Sequence, residues 1–132
     1  MMKVYFDENY SKYIAQAFNL FEYTHGEIEV YSTIDALRRG ATDLEIVKYV
    51  SNNNGVLFTK DKDFKKVQLI IEMMKSNSMG LFFVKTPKKE NYWDIVEKLT
   101  KSYRICREEI LKRKIPYYYE IKSGGKIEKL NL

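Results

Sequence analysis

The sequence predicts an α/β fold: a parallel sheet of about four strands covered by helices on both faces, with a C-terminal long helix and a β-hairpin. Three observations carry this reading. Strand-like and helix-like stretches alternate four times through residue 84. The strand-like runs are almost continuously apolar, as strands buried on both faces require. Acidic clusters follow the first and third of these runs, at the carboxyl ends where such sheets place their sites.

Taking the elements in order, Lys3–Phe6 reads as a short buried strand that delivers Asp7 at its end. Ile14, Ala17, Phe18 and Phe21 then recur at the spacing of an inward helix stripe, with Ser11 as its N-cap. Thr24-His25-Gly26 breaks the helix, and Ile28–Tyr31 alternates like a second strand. Ser32–Arg39 forms a short helical turn before Gly40. From Thr42 a helix directs Leu44, Val47 and Val50 inward and ends at Asn52-Asn53-Asn54-Gly55. Val56–Thr59 is a buried strand. The helix after it carries Val67, Ile70, Ile71 and Met74 on one face, and Gly80 introduces a fourth strand, Leu81–Val84. Past Pro87, a helix over roughly Tyr92–Arg113 has an inner face of Ile95, Leu99, Tyr103, Cys106 and Ile110. Tyr117–Lys122 and Lys126–Leu132 flank Ser123-Gly124-Gly125 as a terminal hairpin.

Composition bounds the function. A chain of 132 residues with 45% hydrophobic and 31% charged residues is a globular domain, read as one unit with a core over 1–85 and an extension over 86–132. No apolar run approaches the ~20 residues that cross a bilayer, and no signal-peptide pattern opens the chain. The single cysteine, Cys106, excludes an internal disulfide and suits a reducing cytoplasm, the expected location. Phosphate-loop, dinucleotide and CxxC motifs are lacking, and His25 is the lone histidine, in a turn. Charge is uneven: residues 1–84 hold 10 Lys/Arg against 11 Asp/Glu, and residues 85–132 hold 13 against 7. That division suits an enzyme acting on a polyanion, with carboxylates for a cation and lysines for phosphates. Solvated helix lysines explain it as well.

Each acidic cluster has two readings. Asp7 is either a metal ligand or a cap for the following helix, and Glu8 and Asn9 either turn to the site or cap. Thr42 and Glu45 have capping-box spacing, with Asp43 in the first helical turn where an anion suits the dipole. Thr59-Lys60-Asp61-Lys62-Asp63-Phe64 is the sharpest signal, because aspartates at i and i+2 beyond a buried strand can address one cation. Its plain alternative is a polar turn capped by Asp63.

With these residues in hand, the chain resembles a PIN-like domain of the small prokaryotic type that begins Asp-Glu-Asn after strand one. The match rests on Phe6–Asn9, Gly40–Ile46 and Val56–Phe64 and covers roughly residues 2–85. The resemblance implies a Mg²⁺- or Mn²⁺-dependent ribonuclease of the kind that serves as the toxin of a toxin–antitoxin pair. It implies Asp7, Asp43, Asp61 and Asp63 as metal ligands and catalytic groups, with Glu8, Asn9, Glu45 and Thr59 in support. An RNA substrate and an antitoxin protein are the partners it implies. Lys60, Lys62, Lys65 and Lys66 surround the cluster as phosphate contacts. The rivals are a PIN-like fold acting as a binding or regulatory protein without catalysis, and a phospho-receiver-like signalling domain. We expect no membrane association, and a homodimer formed through the long helix and the three consecutive tyrosines.

Overall fold

A computed structural model describes residues 1–87 and 89–132. A single six-stranded sheet runs in the order β2-β1-β3-β4-β5-β6. The strands are β1 (Met2–Phe6), β2 (Ile28–Ser32), β3 (Val56–Thr59), β4 (Gly80–Val84), β5 (Tyr117–Ile121) and β6 (Ile127–Lys129). β1 to β5 are parallel, and β6 pairs antiparallel with β5. The helices are α1 (Lys12–Tyr23), α2 (Thr33–Ala36), α3 (Asp43–Asn52), α4 (Asp63–Lys66), α5 (Gln68–Ser76) and α6 (Tyr92–Lys112). The four expected strands are present, and the hairpin extends their sheet: β5 lies beside β4, joined to it by α6 as a crossover.

Strand alternation divides the core in two. Phe6, Phe58, Phe82 and Tyr119 stand in register across β1, β3, β4 and β5, with ring centroids 4.9, 4.8 and 5.4 Å apart. α1 and α6 cover this row with Ile14, Phe18, Leu99, Cys106 and Ile110. Burying each aromatic ring contributes about 2–3 kcal/mol, and stacking adds about 1 kcal/mol per pair. The opposite face carries Tyr5, Leu57 and Leu81 under Val47, Val50, Phe64, Ile70 and Met74 of α3 to α5. Gly80 is required where β4 meets β5, because a Cβ there would come within 2.6 Å of the Tyr117 ring. In the β5–β6 turn, Gly125 adopts φ 91°, which favours glycine.

Three expectations about side chains are corrected. Phe21 is not inward but 65% exposed, and Glu22 takes its place in the interior. The cause is polar: Glu22 accepts 2.5 and 2.9 Å hydrogen bonds from Tyr103 and Arg107 of α6. Val67 is likewise exposed, since it caps α5 rather than joining its apolar face. Tyr117 and Tyr119 are buried and Tyr118 is half-buried, so this run does not supply the aromatic surface expected to drive a dimer. The sheet topology reverses after β1, with β2 on one side and β3 on the other, and leaves a crevice outside the carboxyl ends of β1 and β3.

The helix register is testable. Glu22→Ala leaves the Tyr103 hydroxyl and Arg107 Nε without their acceptor, Arg107 keeping Glu27, and should cost about 2–4 kcal/mol, whereas Phe21→Ala should change stability by less than about 0.5 kcal/mol. Urea denaturation of the two variants measures both.

Candidate metal centre

Thr59 organises the crevice. Its hydroxyl donates to Asp7 Oδ2 across the β1–β3 pair and accepts from the Asp61 backbone N–H at 3.0 Å. Asp7 Oδ1 accepts from the Asn9 backbone N–H at 3.1 Å, and the Asp7 N–H donates to the Phe58 carbonyl. Asp7 therefore does not cap α1; Ser11 does, accepting from Tyr13 N–H. Asp7 is 3% exposed. Burial pushes its carboxyl up to about 6, against the opposing hydrogen bonds from Thr59 and Asn9.

Asp43, Asp61 and Asp63 converge, each offering a carboxylate oxygen within 4.8 Å of the others. Three local features bring them there. Thr42 caps α3, accepting from Glu45 N–H at 3.2 Å, which sets Asp43 in the first turn. Thr59 fixes Asp61, and Asp61 Oδ1 accepts from Asp63 N–H at 3.0 Å. The carboxylate closing this turn is thus Asp61 rather than Asp63. Partial burial pushes Asp43 up to about 7, reinforced by the charges of Asp61, Asp63 and Asp7.

The other predicted site residues are distributed differently. Glu8 is tied to the loop before α3, accepting from Gly40 N–H at 3.0 Å. Glu45 pairs with Arg38 instead of completing the capping box. Asn9, Lys60 and Lys62 line a cleft with Asp61, and the Lys60 ammonium lies 5.0 Å from the Tyr10 ring centroid. Lys65 is withdrawn: it stands over Phe83 and pairs with Glu120 at 3.4 Å. Lys66 is exposed and does not line that cleft. β3 ends in Thr59 rather than a carboxylate, so a receiver's phosphoacceptor has no counterpart there.

The sequence reading missed three buried polar groups near this end of the sheet. Glu120 of β5 is held by Lys65 and Lys122; burial pushes its carboxyl up, but these cations prevail and lower it. Glu90 pairs with Lys98 at 3.0 Å, and Lys98 also donates to the Lys85 carbonyl. Tyr10 is buried, its hydroxyl held far above its ordinary range by burial and then by the charges of Asp7 and Glu90. No local motif marks Glu90 or Glu120, because their partners come from distant or unpatterned positions.

Among the described residues, Glu22, Glu90 and Glu120 each have a basic partner, whereas Asp7, Asp43, Asp61 and Asp63 have none within ion-pair distance. Clustered carboxylates without a cation cost stability. The donor set is all oxygen, with neither thiolate nor imidazole, and fits a hard divalent ion such as Mg²⁺ or Mn²⁺.

The raised carboxyls fix the sign of a pH dependence. Asp7 and Asp43 bind protons more tightly folded than unfolded, so their contribution is present below about pH 4 and lost as pH rises toward 6–7. For Asp7 the two-unit rise corresponds to about 3 kcal/mol. In a chelator, the denaturation midpoint should fall between pH 4 and 7, and Asp43→Asn should flatten that fall. A midpoint that rises over this range contradicts the geometry.

No curated protein and no solved structure matches the chain. Residues 2–86, from β1 through the end of β4, match the family described as PIN like domain. This segment holds Asp7, Asp43, Thr59, Asp61 and Asp63 on the sheet that positions them. The chain belongs to the PIN-like domain family.

Proposed function

We propose that this protein is a Mg²⁺- or Mn²⁺-dependent ribonuclease that hydrolyses phosphodiester bonds at the Asp43–Asp61–Asp63 cluster. The observation that supports it most is the convergence of three unpaired carboxylates at the topological switch point of a PIN-like sheet. Asp43, Asp61 and Asp63 would hold the ion, with Asp7 beside them. A divalent ion held by these residues would lower the pKa of a bound water and neutralise charge on the phosphate. Thr59 and the Asn9 N–H fix Asp7 in one orientation, and the Thr59 oxygen fixes the Asp61 backbone. Lys60 and Lys62 flank Asp61 and would hold the phosphates on either side of the scissile bond.

The biological setting in this proposal is a toxin restrained by an antitoxin protein. Expression of the wild type should slow growth, and Asp61→Asn should not. A homodimer formed through the elements after residue 90 belongs to the same proposal; on α6, Tyr92, Trp93 and Ile105 are 46%, 73% and 44% exposed. Light scattering that returns 15.7 kDa across micromolar concentrations overturns the dimer.

Metal and activity are tested together. Millimolar Mn²⁺ should raise the melting temperature of the wild type more than that of Asp61→Asn, because binding relieves repulsion found only in the native state. Cleavage of single-stranded RNA should require the ion and fall at least ~100-fold in Asp43→Asn and Asp61→Asn. Equal thermal shifts would remove the metal site. A metal-dependent shift without cleavage would assign the fold to binding rather than catalysis.

A further inference from the structure

A cavity lies away from the carboxylates, in the extension beyond the family segment. It measures about 550 Å³ and is lined by Lys112 at the end of α6, Arg113 and Lys114 after it, the tyrosines of β5, and Lys129 of β6. Because β1 to β5 run in parallel, this cavity at the amino end of β5 and the carboxylates beyond β1 and β3 occupy opposite ends of the sheet.

Its chemistry is cationic. No carboxylate is among the lining residues. Arg113 is held by Glu109, which also accepts from the Tyr119 hydroxyl. Lys112, Lys114 and Lys129 enter no ion pair among the described residues. Gathering three unpaired ammonium groups around one concavity costs repulsion unless an anion neutralises them. Tyr117 also lines the cavity, 7% exposed, with its hydroxyl buried and without a hydrogen-bond partner.

We propose that this cavity is a second polyanion site, which binds consecutive phosphates of a polynucleotide strand at the end of the sheet opposite the acidic cluster. The anion is multivalent because three separate ammonium groups need neutralising, and lysines engage phosphate as flexible point charges. The inference deepens the ribonuclease reading by locating where substrate is held, but its test needs no cleavage.

Fluorescence anisotropy of a labelled single-stranded RNA measures it, with the full chain carrying Asp61→Asn and chelator present throughout. Lys112→Gln, Lys114→Gln and Lys129→Gln combined should weaken binding about 100-fold at ~0.1 M salt and reduce the slope of log K against log salt by about 2. Thermal melting of this variant should not fall below its parent's, since the substitutions remove repulsion, which separates lost contacts from lost folding. Unchanged affinity and slope overturn the proposal. If Lys60→Gln with Lys62→Gln still weakens binding in that case, the acidic end alone holds the strand and the ribonuclease reading survives. Polyglutamate that binds as tightly as RNA and shows the same loss overturns the assignment to phosphates, as does tripolyphosphate binding with no RNA binding.

Discussion

The hydrogen bond from Thr59 to Asp7 joins the ends of β1 and β3 at the point where the sheet changes direction. Much of the site geometry follows from it. Thr59 follows Phe58 at the end of a strand buried on both faces, so its hydroxyl has few partners other than Asp7 and the Asp61 N–H. Asp7 is pinned from the other side by the Asn9 N–H. With both strand ends fixed, the turn after β3 presents Asp61 and Asp63 to Asp43 at the start of α3. A serine would retain this chemistry with a looser rotamer, whereas valine would leave Asp7 buried beside an apolar methyl and free the Asp61 backbone.

The distribution of charge separates architecture from function. Buried Glu22 ties α1 to α6 through Arg107, buried Glu90 ties the approach to α6 through Lys98, and buried Glu120 holds α4 to β5 through Lys65. Each of these acids is matched within the chain. The four aspartates of the crevice are not; burial raises the proton affinity of Asp7 and Asp43, and the neighbouring carboxylate charges add to it. Glu22, Glu90 and Glu120, which serve packing, are thus neutralised within the chain. An unmatched group at the strand mouths therefore points to a ligand from outside.

Much of this was legible in the sequence, for identifiable reasons. Continuous apolar runs such as Val56–Phe58 and Leu81–Val84 read as central strands, so the first four strands, their direction and the ends carrying Asp7 and Asp61 followed. The Thr42 cap was legible because it is local. Tertiary partners were not. Helical spacing placed Phe21 inside because periodicity ranks residues by apolarity, and it could not register Arg107 and Tyr103 waiting for Glu22 some 80 positions away. The withdrawal of Lys65 to Glu120 was hidden for the same reason, as was Glu8 binding Gly40. Tyr117-Tyr118-Tyr119 suggested an exposed hairpin because its alternation marks a strand without naming a neighbour; pairing with β4 buries two of the three.

That pairing also changes what the extension is. The family match ends at residue 86, yet β4 is not the last parallel strand of the sheet: β5 lies beyond it, with Phe82 stacked on its Tyr119. α6 covers the same aromatic row that α1 covers, and its Leu99, Cys106 and Ile110 belong to one core with Phe6 and Phe58. Residues beyond 86 are thus structural partners of the family segment rather than an appendage. α6 begins near the carboxyl ends, where Lys98 holds Glu90, and delivers Lys112 to Lys114 at the amino ends. One helix that secures the sheet therefore also fixes the separation between an acidic end and a basic end, which a mobile tail could not do.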